Sequence, residues 1–133
     1  MSLEEEILRK YKTIAVVGLS SNAERPSHRV ARYLKQQGYR IIPVNPRETE
    51  VLGEKSYPDL CAVEEPIDVV DIFREPKAVP RLVAQAMYVG AKVVWMQEGI
   101  VHEAAAARAR RAGMAVVMNH CMMKEHRRIM GKG

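Results

Sequence analysis

Gly18, Ser20 and Ala23 stand in the register of the phosphate turn G-x-G-x-x-G/A, with a serine where the second glycine belongs. In such turns that glycine lets a pyrophosphate approach the backbone. Ser20 keeps its N–H and adds a hydroxyl, so phosphate is expected here at an altered distance. Arg25 and Ser27 follow at the start of a helix opened by Pro26. A helix N-terminus and a guanidinium together make an anion site. A capped helix beside a solvated arginine explains this turn equally well.

The end of the next apolar run separates the ligands better. A nicotinamide cofactor usually meets an Asp or Glu there, bonded to the ribose 2′-hydroxyl. This chain reads Val44-Asn45-Pro46-Arg47, with no carboxylate before Glu48. An arginine at that place suits a ribose phosphate, which NADP and coenzyme A both carry and NAD lacks.

Other reactive side chains give weaker patterns. His120, Cys121 and His126 lack the second close pair that a structural zinc site needs, so they read as a reduced thiol and surface histidines. His120 and Cys121 are neighbours, and on an extended strand neighbours face opposite ways, which argues against a nucleophile and its base. Asp68 and Asp71 are separated by an odd step along a strand and therefore do not pair. Met87, Met96, Met114 and Met118 read as core filling and Trp95 as partly buried. The basic clusters at Arg108–Arg111 and Lys124–Arg128 contain no aromatic residue on which a base could stack, which disfavours nucleic acid.

The elements that must position these residues follow from periodicity. Strand-like runs of Val and Ile alternate with amphipathic segments about every 25 residues. Ser2 and Glu5 have capping-box spacing, predicting a helix over Leu3–Lys12. Strands are expected at Thr13–Gly18, Tyr39–Asn45, Ile67–Phe73, Ala91–Gln97 and Met114–Asn119. Helices are expected at Pro26–Gly38, Pro76–Val89 and His102–Ala112, and Val51–Leu60 reads as a loop with a short edge element. Near-continuous apolar strands alternating with helices imply a Rossmann-like, doubly wound α/β fold. Its sheet should be mainly parallel, of five to six strands, with helices on both faces.

In such sheets ligands bind beyond the carboxyl ends of the strands. Here those ends carry GLSS, NPRE, REP, QEG and NHC, more polar than plain turns require. A chain of 133 residues fits one domain over 1–133, with an N-terminal helix at 1–12 and a basic segment at 122–133. The net charge of +5 favours anionic partners. No apolar run reaches membrane-spanning length and no signal peptide is evident, so a cytoplasmic location is expected.

The stretches IAVVGLS, RPSHRVARYL, GYRIIPVNP, VDIFR and VWMQEGI, in this order and with a cysteine after the last strand, resemble the small, single-domain CoA-binding protein family. That family is similar to the CoA-binding domain of the succinyl-CoA synthetase alpha subunit. The resemblance runs from Thr13 to Cys121 and implies a coenzyme A site. Gly18, Ser20 and Ser21 would line the phosphates, with Arg25, Pro26 and Ser27 beside them. Val44, Asn45, Pro46 and Arg47 would meet the adenosine end. Phe73, Arg74, Gln97, Glu98 and Gly99 would border the pantetheine path. The synthetase's second domain, with its phosphorylated histidine, has no counterpart in these residues, and NHC replaces the Asp-Arg-Cys form of some relatives. The expectation is non-catalytic binding of coenzyme A or an acyl-CoA, as a sensor or carrier. The alternative is an NADP-dependent oxidoreductase on a minimal Rossmann domain.

Overall fold

Ser2 caps the first helix, α1 (Leu3–Lys10), its Oγ accepting the Glu5 N–H at 3.1 Å. The reciprocal half of the box is replaced by an ion pair, because the Glu5 carboxylate takes Arg9 at 2.8 Å. The helix stops two residues before the expected Lys12. The N–H groups of Lys12 and Thr13 donate to the Asp68 carboxylate instead, drawing the chain into β1 (Thr13–Val17). The computed structural model describes residues 1–131.

The chain continues through α2 (Pro26–Gln36) and β2 (Arg40–Val44) to a hairpin of β3 (Glu50–Val51) and β4 (Glu54–Lys55). There the sequence suggested only a loop with a short edge element. Leu52 and Gly53 make the turn, both at positive φ (56° and 78°). Then come β5 (Val69–Ile72), α3 (Val79–Tyr88) behind a short 3-10 turn, β6 (Val93–Met96), α4 (Glu103–Arg111), β7 (Ala115–Val117) and α5 (Met122–Ile129). Five strands pair in the order β2-β1-β5-β6-β7, every pair parallel. This is the Rossmann-like α/β architecture. Pro43 is tolerated because β2 is an edge strand whose outer side only partly pairs, through Tyr57.

Helices cover both faces. Val79, Leu82, Val83 and Ala86 of α3, with Ala105, Ala106 and Ala109 of α4, pack on Ala15, Val70, Val94 and their neighbours. Ile7 and Leu8, Val30, Ala31 and Leu34, and Met122 from α5 pack on Ile14, Val16, Val69, Val93 and Trp95. Each fully buried Val, Leu, Ile or Met among them contributes about 1.5–3 kcal/mol.

This layering corrects four expectations. The crossovers α3 and α4 share one face, so the other face of β6 and β7 needs a further cover. The segment read as a basic tail supplies it as α5, burying Met122 and His126 and half-burying Ile129. His126 is therefore a core histidine and not a surface one. Trp95 beneath α5 is fully rather than partly buried, its Nε1–H donating to the His120 carbonyl at 2.9 Å. Met87, expected in the core, lies on the outer side of α3 and is exposed.

Candidate binding cleft at the carboxyl ends of the strands

The strand order reverses between β1 and β5, and the chain leaving those two strands turns to opposite faces of the sheet. A crevice opens there by geometry alone. One chamber of about 730 Å³ holds Gly18 from the first turn, Val44, Asn45, Pro46 and Arg47 from the end of β2, and Phe73 and Arg74 from the end of β5. Arg25 at the start of α2 closes its rim. A second chamber of about 460 Å³ takes Pro26, Gln97, Glu98 and Gly99, and again Phe73 and Arg74. The two chambers thus share the Phe73–Arg74 wall.

Ser20, Ser21 and Ser27 line neither chamber. The Ser20 N–H donates to Ser27 Oγ at 3.1 Å, while Ser20 Oγ accepts from the Asn22 N–H at 3.0 Å. These two serines bind the turn to α2. The Ser21 N–H donates to the Glu48 carboxylate at 2.9 Å, so a side-chain anion already sits at this turn. Gly18 has a role the pyrophosphate argument misses. At φ +89°, a Cβ on it would lie 2.6 Å from the Phe73 carbonyl oxygen.

Asn45 and Gln97 are also committed within the fold. Asn45 Nδ2 donates to the Leu19 carbonyl at 3.0 Å and its Oδ1 accepts from the Arg47 N–H at 3.0 Å. Gln97 is buried; its Nε2 donates to Asp71 Oδ1 at 2.5 Å and its Oε1 accepts from the Met122 N–H at 3.4 Å. The carboxamide therefore ties β5 and β6 to the first turn of α5. Gly99 has open space around its Cα, and its N–H donates to Asn119 Oδ1 at 2.7 Å.

Beneath the second chamber lies Asp71, completely buried and with Oδ2 unpartnered. Burial pushes its carboxyl up to about 7, partly opposed by the Gln97 hydrogen bond. Cys121 lines the same chamber, and burial pushes its thiol up. A raised thiol carries little thiolate at neutral pH and is a poor nucleophile. Among the described residues, no three His, Cys, Asp or Glu side chains converge as a metal site, and no helix is long and apolar enough to cross a membrane.

Sequence reasoning passed over Arg81, Leu82 and Gln85 of α3, and Pro58 and Asp59, which complete the first chamber. The α3 residues were legible in principle. A helix that begins beside a strand end turns one edge of its first turns toward the crevice, and Arg81 and Gln85 are one turn apart on that edge.

Fold and cleft together define an α/β domain with an arginine-rimmed groove at its topological switch point. The model of the CoA-binding domain family matches residues 12–127, and the chain belongs to that family. It is 39% identical over 122 residues to the uncharacterized protein YneT of Bacillus subtilis (strain 168), covering 92% of this chain and 90% of that one. A hypothetical protein from Pyrococcus horikoshii OT3 superposes with a TM-score of 0.93 at 45% identity, over 96% of this chain and 90% of the other. Acetate–CoA ligase [ADP-forming] II of Archaeoglobus fulgidus is 32% identical over 83 residues, 61% of this chain but only 12% of the ligase.

Proposed function

We propose that the cleft binds coenzyme A or an acyl-CoA without transforming it, so that the protein acts as a sensor or carrier of that ligand. The observation that carries this reading is the pairing of two unlike chambers across Phe73 and Arg74. Arg25, Arg47, Arg74 and Arg81 surround the first, which suits a diphosphate and a ribose phosphate. Pro26, Val30, Phe73, Pro76 and Ile100 give the second an apolar lining, which suits a pantetheine arm. A ligand with a phosphate-rich head and a long slender arm uses both. The raised thiol of Cys121 and the sealed position of Asp71 support binding without chemistry.

Calorimetric titration tests the reading. Coenzyme A should bind more tightly than dephospho-CoA, and dephospho-CoA more tightly than NAD, which lacks both the ribose phosphate and the arm. Losing one charge-assisted contact costs about 1.5–3 kcal/mol, so dephospho-CoA should bind roughly 10- to 100-fold more weakly. Tighter binding of NADP than of coenzyme A would overturn the proposal and favour the oxidoreductase reading.

Arg25 is exposed and makes no ion pair with an acidic side chain among the described residues. Arg25→Ala should therefore weaken coenzyme A binding about 10- to 100-fold while leaving the melting temperature of the free protein nearly unchanged. Unchanged affinity would remove Arg25 from the site.

A further inference from the structure

Away from the cleft, Arg29 and Arg32 of α2 meet Arg127 of α5 around a concavity of about 270 Å³, completed by Tyr33, Gln36 and Met123. None of the three arginines forms an ion pair among the described residues. No carboxylate lines the concavity. Positive charge is thus concentrated there without an internal partner, on a chain whose net charge is already +5.

The cradle is also held in shape. The Arg127 guanidinium lies 4.9 Å from the centre of the Tyr33 ring, and Arg29 Nη1 donates to the Glu24 carbonyl at 2.6 Å. The Tyr33 hydroxyl lies 2.7 Å from Nδ1 of buried His126, whose ring packs edge-on against Tyr33 and Tyr39. An anion arriving at the Arg29 and Arg127 guanidiniums, placed in this way, loses less binding energy to side-chain ordering.

We infer that this α2–α5 surface docks an acidic segment of a partner protein, whose Asp or Glu side chain enters the cradle of Arg29, Arg32 and Arg127. The hollow, about 270 Å³, lies just below the usual range for an organic cofactor, roughly 300–1,000 Å³, and has room for an acidic side chain with the peptide that carries it. Arg, Tyr and Met without Lys is the composition found at the centres of protein interfaces. Single-stranded nucleic acid would need an aromatic face for stacking, and the Tyr33 ring is engaged by Arg127. The inference is independent of what the cleft binds.

The test is an NMR titration of the whole protein with a short glutamate-rich peptide, its glutamine counterpart and a single-stranded oligonucleotide, all at one ionic strength. The glutamate peptide should shift the amides of residues 29–36 and 123–127, and the glutamine peptide should not. Arg32→Ala together with Arg127→Ala should weaken the peptide about tenfold or more, whereas Arg108→Ala with Arg110→Ala, on the solvated side of α4, should not. The double variants' thermal melts report whether each remains folded; if the cradle pair unfolds the protein, Arg32→Gln alone replaces it, with the same weakening expected in direction. Absence of glutamate-peptide shifts, equal binding of the glutamine peptide, equal losses in the α4 variants, or tighter oligonucleotide binding through the same residues would overturn the inference.

Discussion

Asp71→Asn is expected to make the protein more stable than the wild type at about pH 8 and less stable at about pH 4. The buried carboxyl holds its proton up to about 7, against 3.8 for a free one, because burial disfavours the charge. Below 3.8 the group is protonated in both folded and unfolded chains and has no net effect. As the pH rises between these values, the unfolded chain ionises freely while the folded one retains its proton, and stability falls. Above the folded value the loss levels off at on the order of 4 kcal/mol. Asparagine keeps the acceptor for Gln97 Nε2 but sets two N–H donors where the protonated acid has a single unpartnered O–H, and the added orphan donor costs about 1–3 kcal/mol. The removed penalty is larger at high pH and absent at low pH, which fixes the crossing. His126 contributes with the opposite sign. Burial lowers its pKa below 6.5, so its contribution is lost as the pH falls through that value, in variant and wild type alike. Urea unfolding across this pH range checks the outcome; parallel stability curves for the two proteins would refute it.

The pairing of Asp71 with Gln97 also marks the limit of what the sequence conveys. Alternating strands and helices were legible because each Val/Ile run is short, bounded and followed by an amphipathic segment, and strand ends rich in polar residues located the crevice. Arg25, Arg47 and Phe73–Arg74, which those strand ends and the first turn single out, line the first chamber. Asp71 lies inside a strand, and only the register of β5 against β6, with Asp71 beside Trp95, brings Gln97 over it. Pairing register is a property of two distant segments and leaves no mark in either one. The α5 helix failed differently. Met122, His126 and Ile129 do repeat at helical spacing, but the charges between them obscured the stripe, and the need for it arises only from which face the crossovers leave bare. The serines of the turn after β1 were recognised by type. That Ser20 and Ser27 would bond each other, and that Glu48 would reach the Ser21 N–H, depends on how the loop after β2 folds back.

Gly18→Ala should destabilise the protein by on the order of 4 kcal/mol even without ligand, a larger effect than a role in phosphate access alone predicts. Two costs combine. The residue sits at φ +89°, where any side chain is strained, and the new Cβ would lie 2.6 Å from the Phe73 carbonyl oxygen and 3.2 Å from its carbon. Neither strand can yield cheaply. Gly18 N–H donates to the Val44 carbonyl at 2.8 Å and Phe73 N–H donates to the Val17 carbonyl at 2.9 Å, so β2, β1 and β5 are joined at this level. Relief would have to come from parting β1 and β5 beside Phe73 and Arg74, the wall both chambers share, and coenzyme A affinity should fall with it. Gly99→Ala is the matched comparison. Gly99 has φ +83° but nothing within 4 Å of a Cβ, so it should bear only the backbone strain, about 1–3 kcal/mol. Denaturant unfolding of the two ligand-free variants separates the contributions. If Gly18→Ala proved no less stable than Gly99→Ala while losing coenzyme A, Gly18 would be there for the phosphate. If it is markedly less stable, Gly18 is there first to let β1 and β5 meet.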